Sequence, residues 1–360
     1  MNKEININNR PISPAAPCFI VAELSGNHNG DYERAVAIIH AAAAAGADAI
    51  KLQTYTADTI TLDCENEHFH LNRGTIWDGM TLHELYRQAH TPWDWQPRLK
   101  EAAEKCGLIC ISSPFDFSAV DFLAALAMPA YKIASYEIGD IPLIKKAAAQ
   151  AKPVIIATGI AYPEDIDLAL AACKEAGNED VILLKCTSAY PTPYADCHLR
   201  NIPGMAATYD CLVGLSDHTP GSTTALGAVA LGAVMVEKHL TLSRMDGGPD
   251  AAFSMEPAEF AAMVNDIRIL EKALGRAEYC LTEGQIKERS GGRSLFAVRD
   301  IKAGERLSAE NIRSIRPAVG LPPRHYEAVL GQTAKQDIPR GTPLGEGHIS
   351  PLSDRHPAMF

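Results

Sequence analysis

One pattern repeats along residues 19–274, and it restricts the possible folds of this chain more than any other feature. A short apolar run is followed by a polar cluster and then by an alanine-rich amphipathic stretch. Apolar runs without polar alternation, each followed by a helix, are typical of buried parallel strands. The eight runs lie at residues 19–22, 49–52, 108–111, 130–133, 154–157, 181–184, 211–215 and 234–236. They predict an α/β fold, a (β/α)8 TIM barrel, rather than an open doubly wound sheet.

The sequence changes character near its C-terminus. Residues 281–293 are polar and glycine-containing, as interdomain linkers are. Beyond them, residues 294–360 contain short β-like runs separated by the turn segments KAGE, LPP and PRGTP. A module of about 60 residues buries little core by itself, so we expect it to dock on the barrel or on a partner subunit. We therefore predict a catalytic barrel at residues 1–280, a linker at 281–293 and a β-rich domain at 294–360.

The loop that follows the second apolar run is unusually long. It covers residues 54–92, where a few residues are usual between strand and helix. Long loops at the active face of a barrel form lids or specificity walls. We predict that this loop borders the active site.

Composition and charge exclude several classes of protein. A formal net charge of −11 argues against a nucleic-acid-binding protein, which normally carries a basic face. No stretch approaches the ~20 continuous apolar residues of a membrane span, and the N-terminal segment lacks the apolar centre of a signal peptide. The nine cysteines form no CxxC pair and fit reduced thiols rather than a disulfide framework. We expect a cytoplasmic protein that binds neither nucleic acid nor membranes.

Three lysines lie at ends of apolar runs: Lys51, Lys132 and Lys238. Because active sites of barrels lie at the carboxyl ends of the strands, we expect these lysines to converge on one pocket. Three uncompensated ammonium groups would repel one another unless an anion with several charges, such as a phosphate plus a carboxylate, lay between them. One lysine alone would more simply be a rim residue. Serines that could donate to the same anion are Ser113, Ser135 and Ser216.

Two histidines, His218 and His239, follow the last two apolar runs. Consecutive strands would place them side by side at the mouth of the barrel. Neutral imidazoles in that arrangement could hold a divalent metal with open positions for water and substrate, and such a site suits Mn²⁺, Mg²⁺ or Co²⁺. The alternative for either residue is a hydrogen-bonded core histidine.

Acidic residues also follow the apolar runs. They could hold substrate hydroxyls or transfer protons, although each alone could be a surface charge or a lysine partner. The candidates are Glu23, Glu137, Glu237 and Asp250. Asp250 lies in the segment GGPDAAFS, which we expect to form a flexible loop over the metal end of the site.

Together, several ordered motifs resemble the sialic acid synthases, which condense phosphoenolpyruvate with an N-acetylated aldose. The motifs are AELSGNHNG, KLQTYT, SSPFD, YKIAS, TSAYPTP, GLSDHT and EKHLTL…GPD, and the segment RSLFAVRDIKAGERLSAENIRSIRP resembles the antifreeze-like (SAF) domain of that family. The resemblance spans residues 19–344. Within the family, the first-strand motif and the long loop are most similar to the branch that makes pseudaminic acid. Ser188 stands where the neuraminate branch often has asparagine, which fits a different sugar.

The resemblance implies a role for each candidate residue. His218 and His239 would hold the metal that polarises the aldehyde of the sugar, Glu23 and Glu237 would transfer protons, and Asp250 would contact the sugar or a water. The phosphoenolpyruvate-binding residues would be Lys51, Ser113, Lys132, Ser135, Ser216 and Lys238. Further substrate-binding residues would be Gln53, Phe115, Glu137, Ser188 and Tyr190. The SAF domain would reach over the partner's barrel in a domain-swapped homodimer, so that Arg316 contacts the neighbouring subunit's sugar.

The implied reaction joins phosphoenolpyruvate and 2,4-diacetamido-2,4,6-trideoxy-L-altrose, with water, into pseudaminic acid and phosphate. Another possible acceptor is a mannose-type acetamido-sugar, which would give N-acetylneuraminate or legionaminate. A class II-type aldolase or sugar isomerase would need no lysine-rich anion site. A non-catalytic sugar-binding protein would need neither the lysines nor the histidines.

Overall fold

A computed structural model describes residues 3–72, 74 and 76–352 of this chain. The chain divides after Gly275 into two compact units, Met1–Gly275 and Arg276–Phe360. The first unit begins with an antiparallel hairpin of strands β1 (Ile5–Ile7) and β2 (Arg10–Ile12).

Eight parallel strands close into a barrel in the first unit, which confirms the predicted fold. Each strand pairs with the next along the chain, and the last pairs with the first. The strands are β3 (Phe19–Glu23), β4 (Ala49–Thr54), β5 (Ile109–Pro114), β6 (Tyr131–Ile133), β7 (Val154–Ala157), β8 (Val181–Cys186), β9 (Leu212–Asp217) and β10 (Met235–His239).

Helices surround the barrel, and local signals fix several of their ends. The side chain of Asp31 accepts hydrogen bonds from the backbone amides of Glu33 and Arg34 and so begins the first helix. The helices are α1 (Tyr32–Ala44), α2 (Ala57–Ile60), α3 (Leu82–Ala89), α4 (Gln96–Lys105), α5 (Phe117–Ala125), α6 (Ile141–Ala148), α7 (Pro163–Glu175), α8 (Asn201–Tyr209), α9 (Thr223–Ala230) and α10 (Pro257–Leu274). Helices α2 and α3 both lie within the long loop.

Successive residues of each strand face opposite sides of the barrel wall. Phe19, Ala49 and Met235 pack in the barrel interior together with the hairpin residues Ile5, Ile7 and Ile12. The neighbours Ile20, Ile50 and Val236 pack instead between the barrel and the helices. Continuing this alternation directs Glu23, Lys51, Glu237 and His239 inward and Lys238 outward. The hairpin packs with residues at the amino ends of the strands, which leaves the carboxyl ends for these polar side chains.

The second unit has its own small core. Its elements are α11 (Glu283–Glu288), β11 (Ser294–Ala297), β12 (Ile312–Ile315) and α12 (Tyr326–Val329). The two strands pair antiparallel, and their residues Leu295, Ala297 and Ile312 are buried in one core with Ile301, Leu307 and Ile338. Helix α11 lies within the segment that we predicted to be a linker. Across the described ranges, no helix has the length and apolar character needed to span a membrane.

Candidate active site

Two buried lysines and two buried glutamates form the floor of the site. The Lys51 ammonium lies 2.5 Å from a carboxylate oxygen of Glu23 and 3.6 Å from one of Glu237. Lys132 lies 3.2 Å from the same Glu237 oxygen. Strand pairing explains the first contact, because Glu23 on β3 is the direct partner of Lys51 on β4. The two lysines are therefore compensated by carboxylates, and the prediction of uncompensated ammonium groups is wrong.

The expectation that Lys238 joins the other lysines is also wrong. Its ammonium lies 2.7 Å from Asp217 Oδ2 and 2.7 Å from the carbonyl oxygen of Thr219. Both charged side chains are almost fully buried, with 1% and 2% of their surface exposed. The cause is the alternation along β10, which points Lys238 away from the interior that Glu237 and His239 face. Lys238 therefore belongs to a buried ion pair behind the barrel wall.

The predicted serines lie around the lysine–glutamate cluster. Ser113 accepts a hydrogen bond from Lys51 at 3.3 Å, and Ser216 donates to Glu237 at 3.4 Å. Ser135 accepts from the backbone amide of Gly159 at 3.0 Å. A Cβ atom at Gly159 would lie 2.7 Å from Ser135 Oγ and would also collide with Ser188, so only glycine fits there. An anion bound at the floor could replace the present hydrogen-bond partners of these serines.

The surroundings of Glu23 and Glu237 shift the pKa values of their carboxyl groups in opposite directions. For Glu23, burial together with the nearby Glu237 charge outweighs the attraction of Lys51 and raises the pKa to about 7. For Glu237, burial would raise the pKa, but Lys132 and Lys51 lower it below its ordinary value. The pair therefore combines a carboxyl that titrates near neutrality with one that stays ionised, as proton transfer requires.

Glu137 lies just beyond β6, in the short 3₁₀ turn Ser135–Glu137. Burial raises the pKa of its carboxyl to about 7, and Lys132 opposes that shift only in part. Glu137 is thus a second acid near the floor that titrates near neutrality.

The two histidines lie side by side, as predicted, with ring centroids 5.3 Å apart. Nδ1 of His218 lies 3.3 Å from the carbonyl oxygen of Thr187 and 3.8 Å from the sulfur of Cys186. Burial and the neighbouring His218 lower the pKa of His239 well below its ordinary value, so this imidazole is neutral.

These side chains fit a metal site with two nitrogen ligands. Among the described residues, the buried Nδ1 atom of His239 has no hydrogen-bond partner, as an atom that awaits a ligand would. Within the same part of the chain, no group of three or more histidine, cysteine or acidic side chains is arranged to hold a metal. His218 and His239 would therefore leave the remaining ligand positions open.

Aromatic rings stand beside the histidines. Tyr190, a predicted site residue, lies 4.5 Å from His218 between ring centroids. Phe253 lies 5.2 Å from Tyr190 and 5.0 Å from His239, and Trp77 of the long loop lies 5.8 Å from Tyr190. We call Trp77, Tyr190 and Phe253 the aromatic wall. The sequence reasoning missed Trp77 and Phe253, since both reach the site through loops without a periodic pattern.

The opposite side of the site is polar. Asp250 accepts a hydrogen bond from the Ser25 hydroxyl and lies 3.4 Å from the backbone nitrogen of Gly26. Gln53 donates to Glu23 at 3.0 Å and to Ser25 at 3.1 Å. Ser25 connects these predicted residues and was itself missed, although it lies in the AELSGNHNG motif after the first strand.

The last two predicted residues lie further out. Phe115 lies just beyond β5 and is half-buried, with its ring 5.1 Å from that of Tyr55. Arg316 lies just after β12 in the second unit and is exposed. Every candidate site residue of the first unit except Lys238 and Phe115 thus lies in the floor, in the histidine pair or at their aromatic and polar borders.

Comparison with known proteins identifies the family of this chain. Residues 38–279 match the NeuB family, and residues 292–350 match the SAF domain. The chain is 44% identical to the pseudaminic acid synthase of Campylobacter jejuni subsp. jejuni serotype O:2, over 91% of this chain and 96% of that protein. It is 36% identical to the N,N'-diacetyllegionaminic acid synthase of the same organism, over 89% of this chain and 96% of that one.

A solved structure has the same fold. The crystal structure of an N-acetylneuraminic acid synthetase from Leptospira borgpetersenii superposes with a TM-score of 0.72 at 32% identity. The match covers 80% of this chain and 95% of that one. This chain is a member of the NeuB family and carries a C-terminal SAF domain, as the resemblance implied.

Proposed function

We propose that this chain is a pseudaminic acid synthase. It condenses phosphoenolpyruvate with 2,4-diacetamido-2,4,6-trideoxy-L-altrose and water, and it releases pseudaminic acid and phosphate. One observation carries the proposal: the buried lysine–glutamate floor lies beside paired histidines in a chain whose relatives include the Campylobacter jejuni pseudaminic acid synthase. The greater identity to that relative than to the diacetyllegionaminic acid synthase favours this acceptor over a mannose-type sugar.

The floor binds the phosphate and carboxylate groups of phosphoenolpyruvate. Lys51 and Lys132 supply positive charge, and the serines that border them supply hydroxyl donors: Ser113, Ser135 and Ser216. The anion competes with Glu23 and Glu237 for the two ammonium groups. Because its negative charge further disfavours ionised Glu23, binding of the anion is coupled to proton uptake by that residue.

His218 and His239 would hold a divalent metal, Mn²⁺, Mg²⁺ or Co²⁺, at the other end of the site. When bound, the metal supplies Lewis-acid polarisation of the acceptor's aldehyde. The protein contributes the orientation of both imidazoles, and the contact between His218 and the Thr187 carbonyl fixes one ring.

Bond formation and phosphate release follow from these positions. C3 of phosphoenolpyruvate attacks the aldehyde carbon, and the new carbon–carbon bond leaves cationic character at C2. Water adds at C2, and the tetrahedral species breaks the C2–O bond to the phosphate group while its new hydroxyl loses a proton, which leaves the C2 ketone and free phosphate. Glu23, whose pKa burial raises to about 7 and which is protonated once the anion binds, donates its proton to the aldehyde oxygen as the carbon–carbon bond forms. The resulting Glu23 carboxylate then takes a proton from the attacking water, while ionised Glu237 stabilises the cationic C2. Asp250 and Gln53 orient the sugar hydroxyls.

The active assembly is a domain-swapped homodimer. Exposed apolar side chains follow three consecutive barrel strands, at Tyr136, Ile160, Tyr162 and Tyr194, and their exposure supports a surface that another copy covers. The SAF domain of the partner lies over this rim and brings Arg316 to the sugar. The nine free cysteines support a cytoplasmic location, where thiols stay reduced.

Phosphate release from phosphoenolpyruvate, measured across a panel of acetamido-sugars, tests the proposal. We expect rapid release with 2,4-diacetamido-2,4,6-trideoxy-L-altrose and Mn²⁺, and release at background level without a sugar. Faster release with N-acetylmannosamine or with 2,4-diacetamido-2,4,6-trideoxy-mannose would contradict the proposed acceptor.

A further inference from the structure

We infer that the aromatic wall selects acceptors whose distal carbon is a methyl group rather than a hydroxymethyl group, and that Trp77 is its specificity-determining residue. The inference rests on the proposed function and identifies the part of the protein that reads the distal end of the sugar.

The wall lies next to the reacting end of the acceptor. With its aldehyde at the metal that His218 and His239 would hold, the rest of the sugar would extend from there toward the mouth of the barrel. Tyr190 lies 4.5 Å from His218, and Trp77 lies 5.8 Å from Tyr190, between ring centroids. Because Trp77 contacts Tyr190 and Tyr190 contacts His218, we assign Trp77 to the distal carbons of the acceptor.

Trp77 is held in position by the loop that carries Asp250. Its indole nitrogen donates a hydrogen bond to the carbonyl oxygen of Pro249 at 2.8 Å. The single donor of the side chain is thereby used, and the ring offers carbon to the ligand. Phe253, on the same loop, adds a second ring without polar atoms.

The acceptor carries apolar and polar groups that match the aromatic side and the polar side of the site. A hydroxyl placed against carbon loses its hydrogen bonds to water and gains none, whereas a methyl group keeps its favourable contacts. The proposed acceptor carries methyl groups at C6 and on both acetamido substituents. Its remaining hydroxyls face the opposite side, where Gln53, Ser25 and Asp250 already form hydrogen bonds.

Two substrates that differ only at C6 test the inference: 2,4-diacetamido-2,4,6-trideoxy-L-altrose and 2,4-diacetamido-2,4-dideoxy-L-altrose. The measured quantity is the ratio of their kcat/KM values in phosphate-release assays. An apolar pocket rejects an added hydroxyl by roughly a hundredfold, which is the ratio expected for the wild-type enzyme. We expect Trp77→Leu to lower this ratio to below about tenfold, with the KM for phosphoenolpyruvate within about twofold of wild type.

Trp93→Leu is the matched control. Trp93 is also half-buried and also donates its indole hydrogen to a carbonyl oxygen, that of Tyr55, but its ring packs on Phe122 outside the aromatic wall. This variant should keep the wild-type ratio. A second variant, Trp77→Gln, offers an amide to the ligand and should shift the preference further toward the hydroxylated sugar.

The outcomes separate this inference from the proposed function. An unchanged ratio in both Trp77 variants, or no discrimination by the wild type, overturns the role of Trp77 and leaves the function standing. Turnover of N-acetylmannosamine with none of either altrose overturns the function and the inference together.

Discussion

At the scale of single residues, the side of the barrel wall that a side chain faces determines its part in the chemistry. Glu23, Lys51 and Glu237 face inward, and their charges meet within 3.6 Å. Lys238 directly follows Glu237 in sequence, yet its ammonium pairs with Asp217 behind the wall. Glu237 and Lys238 are neighbours on one strand, yet the first lies in the candidate site and the second stabilises the structure behind it.

Glu137 gives a prediction about stability and pH. Burial raises the pKa of its carboxyl to about 7 in the folded protein, from 4.5. The stabilising contribution of the protonated form is complete below pH 4.5 and is lost as the pH rises through about 7. Glu137→Gln should therefore become progressively more stable than the wild type between pH 5 and pH 8, as measured by urea unfolding.

Glu33→Gln serves as the control, because Glu33 is an exposed carboxylate in the first turn of α1. That variant should follow the pH dependence of the wild type. A Glu137→Gln protein whose stability parallels the wild type at every pH would contradict the assigned burial of Glu137.

The histidine pair gives a second prediction at this scale. His218→Ala and His239→Ala should each lower kcat by more than about a hundredfold, because even outer partners of metal ligands contribute 10- to 100-fold. Each variant should also bind Mn²⁺ more weakly than the wild type in calorimetric titrations, while its circular dichroism spectrum stays the same. Near-normal turnover in assays supplemented with Mn²⁺ would refute the metal assignment.

At the scale of secondary-structure elements, strands β9 and β10 place a pair of the candidate site and a buried ion pair on opposite sides of the barrel wall. Ser216 and Glu237 are direct partners in the pairing register and face the interior. Asp217 and Lys238 are the next partners, and they form the buried ion pair on the outer side. Asp217 also accepts hydrogen bonds from Thr219 and Thr224, which ties the segment after β9 to helix α9.

Lys238→Met should destabilise the protein by about 3–5 kcal/mol, because it leaves the Asp217 carboxylate buried and unpaired. The folded variant should keep the wild-type KM for phosphoenolpyruvate, whereas Lys51→Met should raise that KM strongly. Urea unfolding and steady-state kinetics measure both effects.

The double variant Lys238→Met/Asp217→Leu provides the control for charge burial, since removing both charges should recover most of the lost stability. If Lys238→Met instead raised the KM for phosphoenolpyruvate and left stability unchanged, Lys238 would belong to the anion site after all.

The elements themselves were predictable from sequence because buried parallel strands produce uninterrupted apolar runs. The inward position of Lys51 and the proximity of His218 to His239 followed from strand ends meeting at one face of the barrel. Lys238 was misassigned because all residues at the end of an apolar run were taken as one group. Successive side chains of a strand point to opposite sides of the sheet, so only every second residue faces the site. Trp77 and Phe253 were missed because contacts between loops depend on the complete fold rather than on local spacing.

At the scale of the whole molecule, the proposed dimer predicts complementation between two inactive proteins. His218→Ala removes a proposed metal ligand from its own barrel, and Arg316→Ala removes the residue proposed to act in the partner's barrel. A mixed dimer would contain one site with His218 and Arg316 both intact. Refolding equal amounts together should therefore restore about a quarter of wild-type activity, measured by phosphate release.

The two variants refolded separately are the controls, and each should stay at its own low activity. Failure of the mixture to exceed the mean of the separate proteins, under conditions where mass spectrometry detects mixed dimers, would exclude a shared site.

We propose that the floor and the histidine pair together join phosphoenolpyruvate to an acetamido-aldose through carbon–carbon bond formation. The most direct measurement is the product formed from phosphoenolpyruvate, 2,4-diacetamido-2,4,6-trideoxy-L-altrose and Mn²⁺, identified by mass spectrometry and NMR and quantified against phosphate. We predict pseudaminic acid and phosphate in equal amounts. Phosphate released together with free pyruvate, and no nine-carbon acid, would contradict the claim.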